Sequence, residues 1–149
     1  MCPKYLPAGA FLFIMKDMKM RAPQQAHYRK GEYTMKRVLI ITSSLRAHSN
    51  SDALAEAFAR GAKDGGCDVT CFSLKGKDIA FCRRCLACQN TQACVIADDA
   101  APIAEAMKES DVIAFATPVY YYGLAGQLKT LLDRANCLFP SDYRFRDIY

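Results

Sequence analysis

Met35-Lys36-Arg37-Val38-Leu39-Ile40-Ile41 runs straight into Thr42-Ser43-Ser44-Leu45-Arg46-Ala47-His48-Ser49-Asn50-Ser51, and the reading of this junction decides the fold. Val38 to Ile41 is an unbroken apolar run, which marks a strand covered on both faces. The polar turn after it ends where a helical pattern begins. Asp52 to Lys63 places Leu54, Ala57, Phe58 and Gly61 on one face, with Asn50 or Ser51 as cap and Gly65-Gly66 as stop. Working outward, Val69 to Leu74 reads as a second strand and Asp111 to Ala116 as a third. Asp98 to Glu109 reads as a helix with acids at its start and Ile103, Ala106 and Met107 inward. Gln127 to Leu138 sets Leu128, Leu131, Leu132, Ala135 and Leu138 at helical spacing. Strands alternating with helices at this rhythm predict an α/β fold around a parallel sheet with right-handed crossovers. No internal repeat or low-complexity tract interrupts it.

The chain of 149 residues suffices for one domain. Residues 1–34 carry six basic and two acidic side chains, against fourteen and thirteen in the remainder. The folded part is therefore nearly neutral, which argues against nucleic acid as a partner. Met35 reads as the natural start of the domain, giving a flexible extension over 1–34 and a domain over 35–149. Within the extension, Phe11 to Met15 is either a short strand or a sticky tail. No run approaches the roughly 18–20 apolar residues that span a bilayer. Leu6 to Met15 lacks a small-residue cleavage site for export, so a cytoplasmic, reducing location is expected. There, the eight cysteines point to metal or redox chemistry before disulfides.

In an open parallel sheet, ligands sit beyond the carboxyl ends of the strands. The turn after Ile41 offers the hydroxyls of Ser43, Ser44, Ser49 and Ser51, the Asn50 amide, the Arg46 guanidinium and the free N–H groups of a helix start. That chemistry suits a phosphate; the bland alternative is that Ser and Asn only cap the helix. Neither a Gly-x4-Gly-Lys-Ser/Thr loop nor Gly-x-Gly-x-x-Gly is present, which argues against ATP or a dinucleotide tethered here. His48 reads as a solvated residue, not a catalyst.

Ser44-Leu45-Arg46-Ala47-His48-Ser49-Asn50-Ser51 resembles the Ser-Pro-Arg-x-x-Gly-Asn-Thr phosphate loop of the flavodoxin-like NAD(P)H-dependent FMN reductases and iron–sulfur flavoproteins. Thr117-Pro118-Val119-Tyr120-Tyr121-Tyr122-Gly123 resembles their second loop, and Gln127-Leu128-Lys129-Thr130-Leu131-Leu132-Asp133-Arg134 the helix after it. Order and spacing agree from about Met35 to Cys137. Ser43 and Ser49 stand where the family favours Gly, and Leu45 where it favours Pro. The resemblance implies a flavodoxin-like three-layer α/β/α domain and FMN as cofactor. The phosphate would lie on Ser44, Arg46, Ser49, Asn50 and Ser51, and the isoalloxazine against Pro118, Val119, Tyr120, Tyr121 and Gly123. It further implies an oxidoreductase taking hydride from NAD(P)H and passing electrons to a small-molecule or protein acceptor, in a homo-oligomer. No side chain is required as an acid or base. A flat aromatic cofactor needs apolar or aromatic cover and backbone donors at its edge, which a Pro-initiated turn with three tyrosines supplies.

Cys82-Arg83-Arg84-Cys85-Leu86-Ala87-Cys88 and Cys94 form C-x2-C-x2-C-x5-C. Thiols at intervals of three can turn about a common centre and a fourth can close it, matching the ligation of a 4Fe–4S cluster. Zinc, or thiols with structural or redox roles, are the other readings. The resemblance extends to this loop, since iron–sulfur flavoproteins carry such a compact set before a helix. The alternative function is therefore an iron–sulfur flavoprotein electron carrier, or else a non-catalytic truncated remnant. Cys67, Cys71 and Cys137 read as core packing, Cys2 as tail and His27 as linker. The family's fourth and fifth strands have no counterpart here, nor does the FMN-contacting loop after the fourth. The third strand is thus expected as a bare edge, through truncation or with the gap filled by another chain or by Phe11–Met15; truncation is the favoured expectation.

Overall fold

The computed structural model describes residues 10–16 and 35–138. The strands are β1 (Ala10–Lys16), β2 (Arg37–Thr42), β3 (Asp68–Ser73), β4 (Val112–Tyr120) and β5 (Gly123–Leu124). The helices are α1 (Asn50–Asp64), α2 (Ala87–Thr91), α3 (Ala100–Glu109) and α4 (Gly126–Arg134), the last continued by a 3-10 turn over Ala135–Leu138.

Val38 to Ile41 lie at the centre of the sheet, and all four are buried. Their alternation splits them between two cores. Leu39 and Ile41 pack with Ile113, Phe115, Ile103, Met107, Leu128 and Leu131, beneath α3 and α4. Val38 and Ile40 pack with Ala55, Ala114 and Ala116, beneath α1. An apolar run without polar alternation is the consequence of helices on both faces, and it gives the flavodoxin-like three-layer α/β/α arrangement.

The strand order is β1-β4-β2-β3, with β2 parallel to both neighbours. Three strands thus have the expected order. The exposed edge expected at the third strand is not there. β1 lies antiparallel along β4, with Ala10 opposite Pro118 and Lys16 opposite Val112. Seven residues of a largely apolar segment give the outer backbone groups of β4 their partners, which is cheaper than leaving them bare. Of the extension expected to be flexible, Ala10–Lys16 is therefore a strand; the expectations for Cys2 and His27 fall outside the described residues.

Three local expectations are corrected. The packed face of α1 is set by Ser51 and Ala55, with Leu54, Phe58, Ala59 and Ala62 half-buried, while Ala57 and Gly61 are exposed. The small residues turn inward because α1 lies close over Ala114 and Ala116. Cys71 is exposed on the outer strand β3, although Cys137 is buried and Cys67 packs beside Val38 as expected. Finally, Pro118 to Gly123 is not a simple loop. β4 runs to Tyr120 and turns back into β5, pairing Tyr120 with Gly123.

Candidate functional site

β2 ends at Thr42 beside Ala116 of β4, which runs on to Tyr120. Thr42 pairs with Ala116, and the Ser43 amide donates to the Ala116 carbonyl at 3.0 Å. The first motif segment therefore leaves the sheet at Thr42, while the second begins beside it at Thr117 and stays in β4 as far as Tyr120. The first, Ser43 to Ser49, enters α1 with Ser49 as N-cap. Ser49 Oγ accepts from the Asp52 amide at 3.1 Å and donates to Asp52 Oδ2 at 2.8 Å. Ser44 Oγ accepts from the Arg46 amide at 3.3 Å, a local turn that lifts Arg46 to the surface. Ser44, Ser49 and Ser51 are buried, while Arg46, Asn50 and His48 are exposed. Ser49, where glycine is the family's choice, has φ −79° and no strain; the left-handed position is His48 at φ 52°.

Two features at this loop fit an anion and one opposes it. Ser43 Oγ is buried and makes no hydrogen bond among the described residues. The amides of the first turn of α1 face the same end. Against them, the Asp52 carboxylate already engages the cap. The loop is fastened to α4, since Gln127 Nε2 donates to the Ser43 carbonyl. Sequence reasoning took Gln127 only as the opening of a helix.

The second segment is held by Thr117, which is buried; its Oγ1 accepts from the Ala125 amide at 3.2 Å. This bond closes the base of the β4–β5 hairpin, whose two-residue turn is Tyr121-Tyr122. Both turn residues have positive φ, 47° and 63°, the backbone of a type I′ turn that Asn-Gly ordinarily fills. The two residues are 98% and 99% exposed, and their rings meet edge to face with centroids 6.0 Å apart. Pro118 and Val119 are half-buried and Tyr120 is 48% exposed. The hairpin thus carries exposed aromatic surface at the end of β4. Behind Gln127, a cavity of about 370 Å³ opens between Leu74, Ile79 and Phe81 and the first turns of α4.

The cysteine segment lies on the same side of the sheet as α4. Cys82 and Cys85 are exposed, Cys94 is half-buried, and Cys88 is buried, its Sγ accepting from Asn136 Nδ2 at 3.5 Å. Arg84 and Leu86 take positive φ, which turns the segment over between the exposed pair and α2. The donor set has the chemistry of a thiolate-bound centre. Its expected convergence is not seen, for among the described residues no three Cys, His, Asp or Glu side chains stand close enough to hold a metal ion. The reason is α2, which turns Cys88 into the core while Cys82 and Cys85 face water.

Asp98 and Arg134 fasten this segment. Arg134, with no side-chain exposure, binds both carboxylate oxygens of Asp98 and donates to the carbonyls of Ala80 and Ile96. Burial acts to raise the Asp98 pKa, but hydrogen bonds from Arg134 and from the Ala80 and Ala100 amides hold the carboxyl below its ordinary value. Burial likewise acts against the Arg134 charge, and the bonds to Asp98 and Cys94 more than offset it. Burial pushes the Cys137 thiol up, reinforced by Cys88 and Cys94 nearby. Arg134 escaped the sequence reading, yet a signal was there: it falls three residues after Leu131 on the buried stripe of α4, where a charge needs a partner.

Among the described residues no helix is long and apolar enough to cross a membrane. Comparison with known proteins matches residues 36–147 to the family model described as NADPH-dependent FMN reductase. An iron–sulfur flavoprotein of Archaeoglobus fulgidus is 33% identical over 105 residues, 70% of this chain and 53% of that protein. One from Methanocaldococcus jannaschii is 33% identical over 68% of this chain and 53% of its own length. One from Methanosarcina thermophila is 32% identical over 72% and 56%. The chain spans about half the length of these curated relatives. No solved structure matches. With the matched model covering about three quarters of its residues, this chain belongs to the NADPH-dependent FMN reductase family.

Proposed function

We propose that the protein binds FMN across the serine loop and the tyrosine hairpin and works as an oxidoreductase between NAD(P)H and a small-molecule or protein acceptor. The observation that carries this reading is the register of Thr42 with Ala116, after which both motif segments begin, at Ser43 and at Thr117. Bound FMN supplies two-electron chemistry, accepting hydride from the nicotinamide and releasing electrons onward. The chain's own residues bind and orient. Ser44, Arg46, Ser49, Asn50 and Ser51 receive the phosphate at the start of α1, where helix amides and the Arg46 cation favour negative charge. Pro118, Val119, Tyr120, Tyr121 and Gly123 cover the ring and offer backbone groups to its edge. Partners in this reading are NAD(P)H, the acceptor and further copies of the chain.

Titration of the purified chain with FMN, followed by loss of flavin fluorescence, tests it. Saturable uptake that Arg46→Ala and Asn50→Ala each weaken by about tenfold supports the assignment, the size expected for a lost charge-assisted hydrogen bond. Affinity unchanged in both variants refutes it. Bleaching of the bound flavin by NADH or NADPH without air tests the oxidoreductase step.

A second reading is favoured by the relatives named iron–sulfur flavoproteins and by the tethered Cys82, Cys85, Cys88 and Cys94 set. It is an electron carrier in which Cys82, Cys85, Cys88 and Cys94 would hold a 4Fe–4S cluster, once the segment brings together thiols that stand apart here. Iron and sulfide in protein isolated without air, lost in Cys85→Ala, would support it; iron content equal in both proteins would refute it.

A further inference from the structure

Phe81 to Val95 carries Cys82, Cys85, Cys88 and Cys94, and only the five-residue α2 orders its interior. Its own hydrogen bonds are short-range. The Arg84 amide reaches Cys82 Sγ, Thr91 Oγ1 reaches the Ala87 and Ala93 carbonyls, and Gln92 Nε2 reaches the Gln89 carbonyl. Its two feet, in contrast, meet at one side chain. Arg134 Nη1 donates to the Ala80 carbonyl at 2.9 Å and Nη2 to the Ile96 carbonyl at 3.0 Å, immediately before and after the segment. The same guanidinium is bidentate on Asp98, and Asp98 Oδ2 accepts the Ala80 amide at 2.9 Å. Amide and carbonyl of Ala80 are thus both fixed by one buried ion pair. Two residues beyond Arg134, Asn136 donates to Cys88 Sγ.

We propose that Arg134 is the positioning residue of the cysteine segment: by holding both feet against α4 it determines where the four thiols stand and keeps Cys88 shielded. A planar fork with several N–H donors is needed to reach two carbonyls and a carboxylate at once. A lysine ammonium is a point charge and cannot span them. Nothing in this role requires the segment to hold a metal, but it bears on one. If the iron–sulfur reading holds, the segment must close from feet that are already placed.

The test is the alkylation rate of each cysteine by iodoacetamide, read by peptide mass spectrometry on the full, metal-free chain. Arg134→Met is expected to raise the Cys88 rate about tenfold or more through local opening. Cys67, packed beneath α1 on the opposite face, is the internal control and should not change. Where Arg134→Met raises both rates by unfolding the chain, Arg134→Lys decides, since it keeps a cation opposite Asp98. A raised Cys88 rate with Cys67 unchanged in that variant supports the role. A Cys88 rate equal to wild type in either folded variant overturns it. A parallel arm, which rests on the iron–sulfur reading, supplies ferrous iron and sulfide without air. Uptake by wild type and not by Arg134→Lys supports both ideas, and equal uptake overturns the positioning role. No uptake by wild type, with the Cys88 difference standing, removes the iron–sulfur reading and leaves the positioning role supported.

Discussion

Ser49 and Asp52 set the serine loop against itself. The Asp52 carboxylate stabilises the start of α1, where the helix dipole favours an acid, and it also accepts a hydrogen bond from the Ser49 hydroxyl. A phosphate arriving at the same helix end meets that negative charge. Asp52→Asn removes the repulsion while keeping an amide oxygen near the cap. FMN affinity is expected to rise several-fold, since a unit charge a few ångströms away near a surface is worth about 1 kcal/mol or more. The melting temperature should fall slightly through loss of the dipole contact. Calorimetric titration and thermal unfolding of the same samples check both halves, and unchanged affinity would place the phosphate elsewhere. Asp98 poses a different question at this scale. Its carboxyl is held below the ordinary value of 3.8 in the folded protein. The stability it contributes is therefore complete above that pH and drains away as the pH falls through the lower, folded value. Asp98→Asn leaves Arg134 buried without its counter-charge and should cost about 3–5 kcal/mol near neutrality. Urea unfolding from neutrality into acid should show the wild-type advantage shrinking only below the ordinary value of 3.8; an advantage that does not change with pH would mean that the Asp98 charge contributes nothing.

The hairpin from β4 to β5 shows what an element conserves and what it gives up. A type I′ turn asks for Asn-Gly, and two tyrosines in its central positions carry a backbone cost of about 1 kcal/mol or more each. Their rings recover little of it by packing, being almost wholly exposed. Replacing Tyr121 and Tyr122 with Asn and Gly should stabilise the flavin-free protein by about 1–3 kcal/mol and weaken FMN uptake. A variant that is more stable and binds FMN as tightly would show the tyrosines to be irrelevant to the ring. Little of this hairpin was legible in the sequence. Pro118 marked a turn, but β4 carries it at its outer half, opposite Ala10, and Tyr-Tyr gives no turn signal. The central elements were legible for a physical reason. Val38–Ile41 is an unbroken apolar run and Leu128–Leu131 follows the helix period, and burial on both faces of the one and on one face of the other follows from that alone. Thiol exposure was not, because it depends on the left-handed turns at Arg84 and Leu86, residue types that do not announce them. The serine loop lay between these cases. Its cap was placed within two residues, whereas its tie to Gln127 spans 84 positions and leaves no local trace.

At the scale of the molecule, the sheet includes a strand from outside the segment that matches the family. β1 precedes the matched region, which begins at residue 36, yet it pairs with β4 along seven residues. β4 in turn supplies Ile113 and Phe115 to one core and Ala114 and Ala116 to the other, and its end carries the tyrosine hairpin. Without β1, the outer N–H and C=O groups of β4 face water beside a largely apolar strand, which is a template for pairing with another chain. Removing residues 1–34 should therefore do two things at once. The urea midpoint should fall, by an amount set by about seven lost strand pairs. The shortened chain should also associate in a concentration-dependent way, visible by sedimentation, because a second copy can offer the missing strand. A synthetic peptide of residues 8–18 added back should suppress that association, since backbone pairing along one edge admits one strand at a time. FMN affinity measured in the peptide-rescued monomer should match the intact chain, because the serine loop leaves β2, on the far side of β4 from β1. A shortened chain that stays monomeric with an unmoved midpoint would mean that the edge of β4 needs no cover, and β1 would then be a passenger on the sheet.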